Sequence, residues 1–133
     1  LNPVRPLLRD KRLVIVEDSI VRGTTTRNRV KTLREAGAQE VHMVVSCPPH
    51  RYPCYYGIDF PSRKELLAAT HSTEEIKKFL RLDSIHYLSL EGLLRAINMH
   101  TAGFCLACFN GEYPVSFADD LHKHCLETSD SVG

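Results

Sequence analysis

One stretch of 13 residues, Leu13 to Thr25, constrains the fold of this chain more than any other feature. It has the sequence LVIVEDSIVRGTT and opens with four apolar residues. An unbroken apolar run rich in β-branched residues predicts a buried strand of a parallel sheet. A loop is expected from Ser19 to Gly23, and the pattern becomes helical from Thr24. The stretch therefore predicts a strand, a glycine-bearing loop and a helix N-terminus in succession.

This succession has the composition of an anion-binding site. The N–H groups of such a loop and the dipole of the following helix face one point at the carboxyl end of the strand. The hydroxyl groups of Thr24 and Thr25 add donors that suit phosphate oxygens. An ordinary strand-to-helix turn with acidic residues before the helix is the alternative.

Two adjacent carboxylates, Glu17 and Asp18, lie one step before the loop. They would repel a phosphate, so we expect them to face another part of the ligand. Vicinal sugar hydroxyls and Mg²⁺ are the two candidates, since hard cations prefer oxygen ligands. A phosphate at one end and a diol or metal at the other describe a ribose 5-phosphate with a metal-bound pyrophosphate.

The pattern along the chain predicts one α/β domain with a βαβ parallel-sheet core and a C-terminal helical extension that carries cysteines. Residues 1–11 predict a linker, 12–46 the βαβ unit, 47–118 the extension of loops and helices with a Cys-x-x-Cys motif, and 119–133 a fraying polar tail.

Local signals place the individual elements. Gly37 is expected to stop the first helix, and capping-box patterns open short helices after Ser62 and Ser72. Ser89 is expected to cap a helix with Leu93, Leu94 and Ile97 facing inward. The predicted segments are strands Arg12 to Val16, Val41 to Ser46 and Ile85 to Leu88, helix Thr24 to Ala36, and a loop from Gly103 to Pro114.

Composition restricts the class of protein. The chain has 133 residues, of which 43% are hydrophobic and 25% charged, as expected for one globular domain. Its net charge is +1, so no global charge favours nucleic acid or an acidic membrane surface. The N-terminus does not have the pattern of a signal peptide. An odd count of cysteines then predicts a cytoplasmic protein with free or metal-bound thiols: Cys47, Cys54, Cys105, Cys108 and Cys125.

Several motifs together resemble one enzyme family. LVIVEDSIVRGTT is similar to the phosphoribosylpyrophosphate-binding signature of type I phosphoribosyltransferases. The segments LREAGAQEVH, PCYYGID and CLACF are similar to the C-terminal region of the glutamine phosphoribosylpyrophosphate amidotransferases. The resemblance extends from about Leu1 to about Pro114 and implies a partial type I phosphoribosyltransferase fold.

The resemblance also implies a reaction. Phosphoribosylpyrophosphate, glutamine and water would give 5-phosphoribosylamine, glutamate and pyrophosphate, the first step of purine synthesis. In that family a separate N-terminal domain hydrolyses glutamine with a cysteine nucleophile. We therefore expect a fragment that is inactive with glutamine, whose intact parent forms a homo-oligomer and binds purine nucleoside monophosphates as feedback ligands.

In the scheme implied by the family, Glu17 and Asp18 are catalytic, holding the ribose hydroxyls and the Mg²⁺ sphere. The segment from Ser19 to Thr25 would bind the 5′-phosphate. Arg22 either adds charge to the site or packs outward. The residues expected to bind phosphate or ribose are Glu17, Asp18, Ser19, Ile20, Val21, Arg22, Gly23, Thr24 and Thr25.

The cysteines carry a second implication. Some members of the family ligate a 4Fe-4S cluster through cysteines at the positions of Cys54, Cys105 and Cys108, with a fourth ligand from sequence outside this chain. Zinc is an alternative, with His50, His100, Cys47 or Cys125 completing the set. Thiols that pack as small hydrophobic groups are the third possibility. Cys47 and Cys125 match nothing in the family pattern and are expected to be structural.

Two other functions remain open at this point. A phosphoribosyltransferase-like module that binds a nucleotide and catalyses nothing would need the same phosphate loop. A structural iron–sulfur or zinc domain with a vestigial loop would need only the cysteines. The CLAC and PCYYGID elements favour the amidotransferase.

Overall fold

The computed structural model describes residues 3–58, 62–97 and 103–115. The strands and helices in this part of the chain are, in order, α1 (Arg5–Leu8), β1 (Arg12–Glu17), α2 (Thr24–Glu35), β2 (Glu40–Val45), a 3₁₀ turn (Arg63–Glu65), α3 (Leu67–Thr70), α4 (Thr73–Leu80), β3 (Ser84–Tyr87), α5 (Leu90–Ala96) and α6 (Ala107–Asn110). No helix among these residues has the length and apolar character needed to cross a membrane.

The described strands form one parallel sheet in the order β1-β2-β3. Leu13 pairs with Val41 in the register of β1 and β2, and Val45 pairs with Tyr87 in that of β2 and β3. The helix α2 connects β1 to β2, and Gly37 ends it with a φ of 100°. The predicted α/β fold with a βαβ core is therefore confirmed, with strand bounds within one residue of those expected.

One face of the sheet carries the core. Val41, Met43 and Val45 of β2 are completely buried, and Val30 of α2 and Ile76 of α4 are buried in the same cluster. These positions alternate along β2, as the two-residue period of a strand requires. The helices α2 and α4 pack on this face and on each other.

The opposite face of the sheet is apolar and exposed. Val14 and Val16 of β1 are 65% and 72% exposed, and Val44 is also exposed. The prediction that the apolar run of β1 would be buried is therefore wrong for this face. The sequence of a strand shows which of its residues are apolar. Whether those residues are buried depends on what packs against that face of the sheet.

Four other local predictions need correction. The N-terminal linker contains the short helix α1, and the loop with the CLAC motif contains α6. The helix α5 has no buried residue, and Ile97 at its end is 40% exposed, so Ile97 does not face inward. The Ser62 capping box opens a 3₁₀ turn before α3. The predicted tail, residues 119–133, lies outside the described residues, as do His100 and Cys125.

Candidate phosphate loop and cysteine site

The segment from Asp18 to Gly23 joins the carboxyl end of β1 to the N-terminus of α2. Gly23 is the N-cap residue of α2 and has a φ of 74°. Gly23 has no side chain with which to cap this helix, so the N–H groups of its first turn remain directed at the loop. Thr24 and Thr25 are exposed beside them, whereas Thr26 is buried. The structure thus has the strand, loop and helix arrangement that the sequence predicts, with two threonine hydroxyls at the helix start.

The loop is held by packing from α3 and α4. The backbone N–H of Leu67 donates to the carbonyl of Val21 at 2.9 Å. A Cβ atom at Gly23 would lie 2.7 Å from Cδ2 of Leu67 and 3.3 Å from Cδ2 of Leu80. Ile20, whose side chain is buried, belongs to the core cluster. The loop is therefore fixed in place, and only glycine fits at the residue before the helix.

The two adjacent carboxylates have different surroundings. Glu17 is half-buried on the face of β1 that carries α2, and its Oε1 atom forms an ion pair with Nη1 of Arg29. Asp18 is exposed, and its Oδ1 atom accepts a hydrogen bond from the N–H of Ser19 at 2.7 Å. Asp18 therefore presents its charge to solvent at the edge of the loop, whereas the charge of Glu17 is balanced by a cation. No pattern in the sequence predicts the ion pair between Arg29 and Glu17.

Arg22 points away from the loop. Its Nε and Nη2 atoms lie 3.0 Å and 2.9 Å from Oε2 of Glu65 in the 3₁₀ turn. The hydrogen bond from Arg22, together with that from Ser62, holds the pKa of Glu65 below its usual range. Of the two roles considered for Arg22, this geometry is that of outward packing.

The Pro-Cys-Tyr loop and the CLAC segment, far apart in sequence, lie against each other. The N–H groups of Arg51 and Tyr52 both donate to the carbonyl of Cys108, at 3.0 Å and 3.2 Å. The hydroxyl of Tyr113 donates to the carbonyl of Pro53 at 2.7 Å. A Cβ atom at Gly111 would lie 2.8 Å from the ring of Tyr52, so these segments are closely packed.

This packing brings the three cysteines of the CxxC motif and the Pro-Cys-Tyr loop to one region. Burial, with smaller contributions from the charges of Cys54 and Cys105, raises the pKa of the Cys108 thiol to about 11. Cys54 is half-buried and Cys105 is exposed. Among the described residues, no three His, Cys, Asp or Glu side chains converge tightly enough to hold a single metal ion.

A further group at the carboxyl end of the sheet was not predicted. Sγ of Cys47 lies 4.0 Å from Nδ1 of the buried His50, and the His50 ring contacts Phe109 of α6 at a centroid distance of 4.9 Å. Burial raises the pKa of Cys47 to about 11, with smaller contributions from the charges of Asp18 and Cys108. Burial lowers the pKa of His50. The pair lies near both Asp18 and Cys108, whose charges affect the pKa of Cys47.

Comparison with known proteins shows which proteins have a similar sequence and fold. No protein-family model matches the chain. Curated relatives include amidophosphoribosyltransferases of Synechococcus elongatus, 48% identical over 126 residues, and of Bacillus subtilis, 49% identical over 132 residues. These alignments cover 95% and 96% of this chain but only 26% and 28% of the relatives. The chain thus spans about a quarter of the length of the curated relatives it matches.

Solved structures give the same match at the level of the fold. A glutamine phosphoribosylpyrophosphate amidotransferase from B. subtilis, solved in complex with ADP and GMP, superposes with a TM-score of 0.81 at 49% identity. The match covers 90% of this chain and 27% of that one. A structure described as the allosteric regulatory enzyme of purine biosynthesis also has a TM-score of 0.81, at 48% identity.

Proposed function

We propose that this chain, which is homologous to one segment of the amidophosphoribosyltransferases, forms the part of such an enzyme that binds phosphoribosylpyrophosphate. In the intact parent, the product would be 5-phosphoribosylamine, formed with glutamate and pyrophosphate from glutamine and water in the first step of purine synthesis. The single observation that supports this most strongly is the loop from Asp18 to Gly23, held between the carboxyl end of β1 and the uncapped N-terminus of α2.

The loop supplies a cradle for the 5′-phosphate. Backbone N–H groups of the first turn of α2 point at the loop, and the helix dipole favours an anion there. The hydroxyls of Ser19, Thr24 and Thr25 are the side-chain donors that we assign to the phosphate oxygens. We assign Arg22 no contact with the phosphate, because its guanidinium forms an ion pair with Glu65.

The carboxylates serve the other end of the ligand. Phosphoribosyl transfer passes through an oxocarbenium-like ribose while pyrophosphate leaves, so catalysis depends on positioning and charge stabilisation. Glu17 and Asp18 would orient the ribose hydroxyls and provide oxygen ligands for Mg²⁺. When bound, Mg²⁺ supplies positive charge to the leaving pyrophosphate. Asp18 fits that task, since its carboxylate is exposed and carries only one local hydrogen bond.

Calorimetric titration of the folded chain with phosphoribosylpyrophosphate and Mg²⁺ tests this assignment. We expect Asp18→Asn and Thr24→Val each to weaken binding roughly tenfold, the effect of losing one hydrogen bond to a charged group. Matched controls are Asp10→Asn at the other end of β1 and Thr32→Val on a later turn of α2. Unchanged affinity in both test variants would refute the assignment.

Purine nucleotides are proposed as further ligands of the same loop. The solved B. subtilis relative is complexed with ADP and GMP. A purine nucleoside monophosphate shares the ribose 5-phosphate group with phosphoribosylpyrophosphate, so the loop offers both the same contacts. Competition between the two in the titration is the expected result.

Cys54, Cys105 and Cys108 are proposed as three ligands of a 4Fe-4S cluster, with the fourth supplied from outside this chain. The fit is supported by the close packing of the two cysteine-bearing segments and by the influence of Cys54 and Cys105 on the pKa of Cys108. Such a cluster would cross-link the CLAC segment to the loop after β2. Phosphoribosyl transfer involves no oxidation or reduction, so the role of the cluster here is structural.

The remaining proposals concern the intact parent. We assign it to the cytoplasm, where thiols stay reduced, and expect it to form a homo-oligomer. Glutamine hydrolysis belongs to a separate domain in the family, so the 133-residue chain alone is not expected to form 5-phosphoribosylamine from glutamine.

A further inference from the structure

Arg29 and Glu17 form an ion pair between α2 and the last residue of β1. Arg29 is the sixth residue of α2, and its Nη1 atom contacts Oε1 of Glu17. The side chain of Glu17 is only 15% exposed, whereas that of Arg29 is 48% exposed. A carboxylate with so little contact with water needs a cation or hydrogen-bond donors nearby, and Arg29 supplies both.

The pair separates the tasks of the two adjacent carboxylates. Alternation along β1 places Glu17 on the face that carries α2 and Asp18 on the side of the loop. Arg29 balances the charge of Glu17 and occupies one of its oxygens. Within the described residues, Asp18 accepts one hydrogen bond, from the N–H of Ser19, and its side chain is exposed.

We propose that Arg29 is a positioning residue that fixes Glu17 as an acceptor for a sugar hydroxyl and leaves Asp18 as the carboxylate that meets Mg²⁺. This inference rests on the proposed function. A carboxylate whose charge is balanced by a guanidinium attracts a cation weakly, but its second oxygen still accepts a hydrogen bond from a hydroxyl. Within the described part of the chain no cation pairs with Asp18, so it retains its attraction for Mg²⁺.

The test uses calorimetry with two probes, ribose 5-phosphate without metal and phosphoribosylpyrophosphate over a range of Mg²⁺ concentrations. Arg29→Met should weaken ribose 5-phosphate binding roughly tenfold, because the acceptor for the hydroxyl is no longer held in place. Arg29→Lys, which keeps the charge, should retain part of this affinity. Arg12→Met breaks the ion pair of Arg12 and Glu40 at the other end of β1 and should change nothing.

A double-mutant cycle separates positioning from a general effect of positive charge. If Arg29 acts through Glu17, then Arg29→Met should have no further effect in a Glu17→Gln background. A tenfold loss that persists in that background would mean that Arg29 acts on the phosphate itself, and this would overturn the inference.

The Mg²⁺ dependence is a readout that a merely structural role would not change. Glu17→Gln should preserve the increase in phosphoribosylpyrophosphate affinity on adding Mg²⁺, whereas Asp18→Asn should abolish it. Arg29→Met frees the charge of Glu17, so the Mg²⁺ dependence should become steeper. Equal loss of Mg²⁺ dependence in Glu17→Gln and Asp18→Asn would overturn the division of tasks, and this comparison stands even if Arg29→Met does not fold, as judged by circular dichroism.

Failure of this inference and failure of the proposed function give different results. If the folded wild-type chain binds neither probe, or if Asp18→Asn and Thr24→Val both leave the affinity unchanged, the proposed function fails and the present inference with it. If Thr24→Val weakens binding but Asp18→Asn changes neither affinity nor Mg²⁺ dependence, only the division of tasks between the two carboxylates is refuted. If the wild type binds and Asp18→Asn weakens binding, but Arg29→Met matches Arg12→Met, only the role of Arg29 is refuted.

Discussion

Gly23 is the residue whose backbone determines the shape of the candidate phosphate loop. Its φ of 74° lies in the left-handed region, and an added Cβ atom would lie 2.7 Å from Cδ2 of Leu67. Both effects disfavour any other residue, so we expect Gly23→Ala to lower the free energy of unfolding by about 1–3 kcal/mol. Because the loop must shift to relieve the contact, phosphoribosylpyrophosphate binding should weaken as well.

Alanine substitutions at two other glycines serve as controls that distinguish the cost of backbone strain from the cost of steric contact at Gly23. Gly57 has a φ of 114°, but no atom of the described residues lies within 4 Å of the added Cβ. The same residues leave open space at Gly103, whose φ is not positive. Urea denaturation should give a cost of roughly 1 kcal/mol for Gly57→Ala and little change for Gly103→Ala. A Gly23→Ala variant as stable as Gly103→Ala would contradict the geometry of the loop.

At the scale of elements, Asp83 connects three of them. It follows α4 and directly precedes β3, and its Oδ2 atom accepts a hydrogen bond from the N–H of Val41 in β2 at 2.6 Å. The same carboxylate forms an ion pair with Arg34 near the end of α2. Although partial burial opposes ionisation, these two donors hold the pKa of Asp83 below its usual value of 3.8.

The lowered pKa of Asp83 predicts a pH dependence of stability. A carboxyl group whose pKa is lower in the folded state stabilises the fold above its unfolded-state pKa, and loses that contribution as the pH falls through the folded-state value. Denaturation midpoints should therefore decline in acid below about pH 4, and Asp83→Asn should make this decline shallower. Glu91→Gln, an exposed substitution on α5, serves as the control. An identical acid decline in Asp83→Asn and wild type would contradict the prediction.

Elements were predictable where the signals are local, and contacts between elements were not. The capping box at Ser72 marks the start of α4, where the Ser72 hydroxyl accepts from the N–H of Glu75. By contrast, Glu17 and Arg29 meet only because α2 packs back on the sheet, and Asp83 reaches Val41 across 42 residues. No pattern within a single segment encodes such pairs.

The exposure of Val14 and Val16 illustrates the same limit at the sheet. An apolar run predicts a strand correctly, but only the packing of α2 and α4 decides which face is covered. The strand, loop and helix N-terminus of the candidate phosphate loop were predictable from sequence because they are continuous in the chain. The separate surroundings of Glu17 and Asp18 depend on the fold and were not.

At the scale of the whole molecule, the cysteine-bearing segments adjoin the carboxyl end of the sheet. The half-buried Cys47 and the buried His50 follow β2, and His50 contacts Phe109, the residue after Cys108. The charges of Asp18 and Cys108 both affect the pKa of Cys47. The loop from Asp18 to Gly23 and the CLAC segment thus both lie near Cys47 and His50, so a cross-link at the cysteines would stabilise the end of the sheet that carries the site.

Anaerobic reconstitution with iron and sulfide, with a small thiol present as the fourth ligand, tests that cross-link. We expect the wild-type chain to bind iron and sulfide, to absorb in the thiolate-to-iron charge-transfer band, and to unfold at a higher denaturant concentration than without iron. Cys54→Ser and Cys105→Ser should each lose these properties, since a hydroxyl is a poor ligand for iron in such clusters. Cys47→Ser removes a neighbouring thiol that we do not assign to the cluster and should retain them. Iron and sulfide contents in Cys54→Ser and Cys105→Ser equal to those of the wild type would exclude these cysteines as ligands, and loss in Cys47→Ser alone would move the site to the pair of Cys47 and His50.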